Sequence, residues 1–136
     1  MKHRYMLDTN MCIYLMKNHP PEVAVRFAQY YVGEVVISAI TLAELEYGVT
    51  CSGDNAAHNQ AALDVLLQDI AVVSFDAGAA GAYGPVRLAT RDRKRDALDK
   101  LIAAHAIALD VALVTNNEAD FTDYPGLIIE NWVAVH

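Results

Sequence analysis

The chain has 136 residues, 54% of them hydrophobic, and a net charge of −7. That length points to one domain and that composition to a packed core, which excludes a disordered chain. No apolar run reaches the roughly 18–20 residues of a membrane span, so no membrane partner is expected, and the acidity weighs against a generic nucleic-acid binder, because gripping phosphates takes Lys and Arg.

The basic start, Met1-Lys2-His3-Arg4, leads into an apolar strand from about Tyr5 that breaks at Asp8, which is not a signal-peptide pattern. With two cysteines, Cys12 and Cys51, too few for a disulfide framework, the chain reads as cytoplasmic with free thiols. Helical stretches follow Asp8 and break near Asn18 to Pro21. Pro21 suits the first turn of a helix to about Tyr31, and Gly33 suits its C-terminal cap. A second strand runs from about Val35 to Ser38. Thr41, with Glu44 three residues on, reads as a capping box for a helix ending near Gly48. A loop at Ser52-Gly53-Asp54-Asn55, capped by Asp54 or Asn55, precedes a long amphipathic helix to about Gln68. The third strand is Ala71 to Phe75. Asp76 then caps a helix in which Gly78, Gly81 and Gly84 are spaced by three, read as marking a close helix crossing. Asp99 opens a helix to Leu109, the fourth strand is Ala112 to Thr115, and a Tyr124-Pro125-Gly126 turn precedes a last strand, Leu127 to Glu130. Strands that are apolar runs and alternate with helices predict an α/β fold, a parallel sheet of about four to five strands with helices on both faces. One domain would span residues 1–136.

Four acids from distant parts of the chain stand near strand ends or helix starts: Asp8, Glu44, Asp99 and Asp120. In parallel α/β folds ligands bind beyond the carboxyl ends of the strands. Carboxylates converging there would suit Mg²⁺, which prefers oxygen ligands, and two-metal phosphodiesterases use such sets. Three of the four also have a structural explanation: Asp8 and Asp99 as helix caps, Glu44 as the third residue of its capping box. No phosphate loop, Gly-x-Gly-x-x-Gly, zinc-ligand spacing or Gly-x-Ser-x-Gly elbow is present. His105 reads as a hydrogen-bonded structural histidine. Arg87, Arg91, Arg93, Lys94, Arg95 and Lys100 gather within fourteen residues against Asp92, Asp96 and Asp99; they are either a solvated helix end or an RNA-backbone contact.

Taken together, the motifs resemble a known family. Met6-Leu7-Asp8-Thr9-Asn10 resembles the opening of PIN-domain proteins, and Ser38-Ala39-Ile40-Thr41-Leu42-Ala43-Glu44-Leu45-Glu46-Tyr47-Gly48 their second signature. Asp99-Lys100-Leu101-Ile102-Ala103-Ala104-His105-Ala106 is similar to the third. Leu113-Val114-Thr115-Asn116-Asn117, Asp120-Phe121, Pro125-Gly126-Leu127 and Glu130-Asn131-Trp132 are similar to the fourth. The nearest group is the VapC toxins of type II toxin–antitoxin systems. The segment around Thr115-Asn116-Asn117 and the Glu130-Asn131-Trp132 ending look most like the branch that cuts initiator tRNA.

The resemblance implies an endoribonuclease dependent on Mg²⁺, with Mn²⁺ as a substitute. Asp8, Glu44 and Asp99 match the core acids, with Asp8 and Asp99 on the metal. The fourth position is Asp120 or Asn117. Thr9 and Thr115 match hydroxyl residues that orient the acids or bound water. The family also implies a homodimer, a VapB-type antitoxin, and operator DNA bound only through that antitoxin. Arg93-Lys94-Arg95-Asp96-Ala97-Leu98-Asp99 departs from the Gly-rich loop of many relatives, which leaves the tRNA target open. The rival readings are a nuclease of mRNA, rRNA or structured DNA, and a catalytically silent PIN-like RNA-binding or scaffold module.

Overall fold

Tyr5, Met6 and Leu7 are all buried, and so are the four residues from Val35 to Ser38. A strand without an exposed face must be covered on both sides. The computed structural model describes residues 2–93 and 97–133. It arranges β1 (Tyr5–Leu7), β2 (Val35–Ser38), β3 (Ala71–Val73), β4 (Ala112–Val114) and β5 (Ile129–Glu130) in one parallel sheet of order β3-β2-β1-β4-β5. The helices are α1 (Thr9–Lys17), α2 (Pro21–Phe27), α3 (Ala39–Thr50), α4 (Ala56–Asp69), α5 (Ala77–Ala89) and α6 (Ala97–Leu109). The expected α/β architecture is therefore present, with five strands.

Because side chains alternate along a strand, β1 feeds two cores. Tyr5 and Leu7 pack with Met11, Val23, Leu45 and Leu63 from α1 to α4. Met6 points the other way, against Val86 of α5 and Ile102 and Ala106 of α6. Leu7 is fully buried; truncating such a side chain to alanine costs about 2–5 kcal/mol. Tyr5, Tyr30 and Trp132 form an aromatic cluster, in which Glu130 accepts from Trp132 Nε1 at 2.9 Å and from Arg26 at 2.6 Å. This ties the segment after β5 to α2.

Several boundaries differ from the sequence reading, each for a local reason. Ser38, not Thr41, caps α3: its extended backbone closes β2, and its Oγ accepts the Ile40 N–H at 3.1 Å. Thr41 lies inside the first turn and is fully buried, so Glu44 belongs to no capping box. The helix begun by Pro21 stops at Phe27, and Gly33, at φ 99°, lies in the connection to β2. Gly53–Asn55 forms a 3-10 turn, and Asn55 precedes α4 without a side-chain cap bond. Strand β3 ends at Val73, β4 at Val114, and β5 spans only Ile129–Glu130. Helix α6 starts at Ala97, which puts Asp99 in its first turn. Gly78, Gly81 and Gly84 line the exposed side of α5; Gly81 and Gly84 face open space, and it is Ala79 and Val86 that are buried. The close-crossing reading of these glycines is thus corrected. Asp76 does cap α5, accepting from Ala79 N at 3.0 Å.

Candidate active site

Strand order reverses around β1: the chain first builds outward through β2 and β3, then returns to add β4 on the other side. The crevice beyond the carboxyl ends of β1 and β4 is the topological switch point, where open parallel sheets bind ligands. Leu7 pairs with Val114, so the next residues, Asp8 and Thr115, flank that crevice. The Asp8 N–H donates to the Val114 carbonyl at 3.0 Å, which fixes the acid to the edge of the neighbouring strand.

Asp8 is buried and doubly employed. It is the N-cap of α1, with Oδ1 accepting from Met11 N at 2.9 Å. Burial pushes its carboxyl above the ordinary range. The Thr115 hydroxyl and the Met11 N–H pull it down, and the charge of Glu44 raises it again. Among the described residues no cation pairs with it. Glu44, on the second turn of α3, accepts from Thr9 Oγ1 at 2.7 Å. Thr9 is the first residue of α1, so Asp8 and Glu44 are linked through adjacent backbone. Thr115 is fully buried, and its Oγ1 accepts the Asn117 N–H at 2.9 Å.

Asp99 is half-buried on the first turn of α6. Because α6 leads into β4, it runs against the strand direction, and its N-terminal turn lies at the same carboxyl edge. Asn117 is exposed two residues after Thr115, and Asp120 is exposed in the 3-10 turn Glu118–Phe121. The structure therefore couples Asp8, Glu44, Thr9 and Thr115 directly, and holds Asp99, Asn117 and Asp120 on elements that begin at the same edge. Among the described residues, no three acid, His or Cys side chains converge closely enough to cage a metal. The donor chemistry still suits a hard divalent cation: oxygen atoms only, one carboxylate buried beside a second, and neither of them in an ion pair among the described residues. Ser38, which the sequence reading passed over as a cap, also lies here. Its signal was a Ser at the end of an apolar strand just before a helical run.

The basic residues divide. Lys100 is only 6% exposed, and its Nζ donates to the carbonyls of Thr90 and Arg93. It fastens the start of α6 to the end of α5, which corrects its reading as an RNA contact. Arg93 donates to the Asp120 carbonyl, faces Asp123 at 3.8 Å and lies over the Tyr124 ring. Arg87, over the Tyr83 ring, and Arg91 are exposed and have no ion pair among the described residues. Tyr83, Arg87, Arg91, Arg93, Ala97 and Lys100 line a cavity of about 480 Å³. Lys94 and Arg95 lie outside the described residues.

Comparison with known proteins agrees with this architecture. Residues 5–127 match the PIN domain family. The chain is 39% identical over 133 residues to ribonuclease VapC2 of Rickettsia felis, covering 94% of this chain and 97% of the relative. It is 38% identical over 131 residues to the tRNA(fMet)-specific endonuclease VapC of Shigella flexneri, covering 95% and 98%. Among solved structures it resembles DNA-bound VapBC from Salmonella typhimurium, with a TM-score of 0.87 and 36% identity over 96% of this chain and 98% of that one. It also resembles VapBC2 from Rickettsia felis bound to a promoter DNA fragment, with a TM-score of 0.85 and 38% identity over 94% and 98%. A buried, capped carboxylate at the switch point, on a five-stranded parallel sheet matched from end to end by these relatives, assigns the chain to the PIN-domain family and, within it, to the VapC ribonucleases.

Proposed function

We propose that the chain is the toxin of a type II toxin–antitoxin pair, an endoribonuclease that hydrolyses a phosphodiester of tRNA and so blocks translation in the cytoplasm. The initiator tRNA anticodon loop is the substrate we favour, because the relative in Shigella flexneri is specific for tRNA(fMet). The observation that carries the reading is the pairing of Asp8 with Glu44 at the strand edge, where a buried carboxylate faces like charge with no ion pair to offset it among the described residues. Mg²⁺, with Mn²⁺ as substitute, would be held by Asp8 and Asp99, with Glu44 and either Asp120 or Asn117 completing the set. When bound, such an ion activates the attacking water and steadies the leaving oxygen. The residues of the chain do the rest. The Thr9 hydroxyl holds the Glu44 carboxylate, and Thr115 and the Met11 N–H orient Asp8. Arg87 and Arg91 lie on the basic cavity and would take RNA phosphates, with Tyr83 beside them for a splayed base.

The partner is a VapB-type antitoxin, since the similar solved structures from Salmonella and Rickettsia are VapBC complexes on DNA; operator DNA would be bound through that antitoxin. A groove of about 470 Å³, lined by Ile13, Met16, Leu45, Val49 and Ala62, borders Glu44, so an antitoxin segment lying in it would reach the acids. The toxin itself would form a homodimer.

The test is cleavage of total bacterial RNA by the purified chain with Mg²⁺ or with EDTA, followed by mapping of new 5′ ends. Metal-dependent cuts confined to one tRNA anticodon loop support the proposal and name the substrate. Cuts in mRNA or rRNA would move the substrate class. Absence of any cut would favour a silent RNA-binding module.

A further inference from the structure

Ser38 and His105 are 67 residues apart in sequence, 0% and 1% exposed, and in direct contact: His105 Nδ1 lies 2.7 Å from Ser38 Oγ. Ser38 Oγ already accepts the Ile40 N–H, so its hydroxyl proton is free to be given to Nδ1. With Nδ1 accepting, the neutral ring carries its proton on Nε2, which is buried and has no hydrogen-bond partner among the described residues. Phe75 packs edge-on against the imidazole at 5.3 Å. One histidine thus joins the end of β2, the start of α3, the exit of β3 and the middle of α6.

The place of this contact gives it consequence. Glu44 lies six residues after Ser38 on α3, and Asp99 lies six residues before His105 on α6. At a rise of roughly 1.5 Å per residue, each acid is about 9 Å of helix from the contact. Helix α3 leaves the sheet at the carboxyl ends of the strands, and α6 returns from that side toward β4, so both acids extend beyond the same edge. Helices α3 and α6 pack against one another, and apolar contact alone leaves sliding between helices weakly opposed. A buried hydrogen bond admits one register, because any shift strands a polar atom.

We infer that Ser38 and His105 are a positioning pair: their hydrogen bond locks α3 against α6 and thereby sets the separation of Glu44 and Asp99 for the divalent ion. The inference rests on the nuclease reading above for its kinetic arm. Its binding arm, Mn²⁺ affinity of the RNA-free chain by calorimetry, does not depend on turnover.

The variants are Ser38→Ala, His105→Phe, which keeps the ring packing and removes the bond, and His105→Asn, which keeps an acceptor near the Nδ1 position. Ser38→Ala and His105→Phe are each expected to lower kcat on the order of tenfold or more, because small misplacements of reacting groups carry large rate costs. KM for RNA stays within about twofold, since no RNA contact is touched. Mn²⁺ affinity falls several-fold in both. The double variant is no slower than the slower single variant, as expected of residues acting through one bond, and His105→Asn restores most of the loss. The idea is overturned by wild-type kcat and Mn²⁺ affinity in the single variants, by additive losses, or by a lowered melting temperature with kcat unchanged. If Ser38→Ala does not fold, the two His105 variants decide the matter, because they leave the α3 cap in place. A wild-type chain that cuts no RNA refutes the nuclease reading, while the Mn²⁺ measurement still judges the pair.

Discussion

Asp8 and Lys100 are both charged and both buried, 5% and 6% exposed, yet they sit in opposite kinds of surroundings. Lys100 spends its ammonium on two backbone carbonyls, of Thr90 and Arg93, and closes the corner between α5 and α6. Its charge is satisfied by structure. Asp8 accepts the Met11 N–H, and the Thr115 hydroxyl favours its charged form, but Glu44 adds like charge, and no protein cation pairs with it among the described residues. A buried charge without a counter-charge is costly, so its retention at a ligand-binding edge points to a partner from outside the chain. The basic corner is partly scaffold, while Arg87 and Arg91 stay exposed on it.

That contrast can be broken most sharply at Asp8. Asp8→Asn is expected to reduce RNA cleavage by roughly 10²–10³-fold or more while keeping the fold, because Asn caps a helix about as well as Asp. The same change should remove the rise in melting temperature that Mn²⁺ gives the wild-type chain, worth about 1.4 kcal/mol at ten times Kd. Thermal scans with and without Mn²⁺ check both statements, and an unchanged shift in Asp8→Asn would move the ion elsewhere.

Lys100→Met tests the other side. It leaves two buried carbonyls without their donor and is expected to cost about 3 kcal/mol of stability, read by denaturant unfolding. A variant as stable as the wild type but weakened in RNA binding would return Lys100 to the substrate surface. A smaller effect is expected from Arg87→Ala with Arg91→Ala. KM should rise and kcat hold, and the dependence of log KM on log salt should flatten by about 0.7 per cation removed. An unaltered salt slope would take the RNA path off this shoulder.

The smallest expected effect is a pH dependence of stability from His105. Burial holds its imidazole below the ordinary value of 6.5, against the pull of Asp76 and the Ser74 carbonyl. As pH falls through 6.5 the unfolded chain takes up a proton before the folded chain does. Stability is therefore complete above 6.5, declines below it with a slope of at most about 1.4 kcal/mol per pH unit, and levels off once the folded state also protonates. His105→Phe should remove this contribution from the acid limb of the stability profile.

What could be read from the sequence follows from how local each feature is. The strand runs Tyr5-Met6-Leu7 and Val35-Val36-Ile37, the placing of Pro21 in a first helical turn and the cap at Asp76 depend on backbone sterics and hydrogen bonds within a few residues. The junction of β1 with Asp8 was legible for the same reason, and the family motifs could be matched because they are contiguous. The capping box at Thr41 was misread because Ser38 and Thr41 both have cap chemistry, and the choice between them depended on where β2 stops pairing with β3. The glycines of α5 were misread because spacing by three marks a helix face without saying whether that face is covered.

By itself, then, the sequence determined the alternation of strands and helices, the parallel sheet, and the acids at strand ends and helix starts. Only the tertiary structure decided the order β3-β2-β1-β4-β5, which brings Asp8 beside Thr115 across the switch point, and the crossing of α3 with α6, which brings Ser38 to His105. It alone turned Lys100 inward while leaving Arg87 and Arg91 outside. The physical reason is that helix caps and strand runs are set within a few residues, whereas the Ser38–His105 contact spans 67 positions and the burial of Lys100 depends on how the end of α5 turns back on α6, both settled only once the chain has folded.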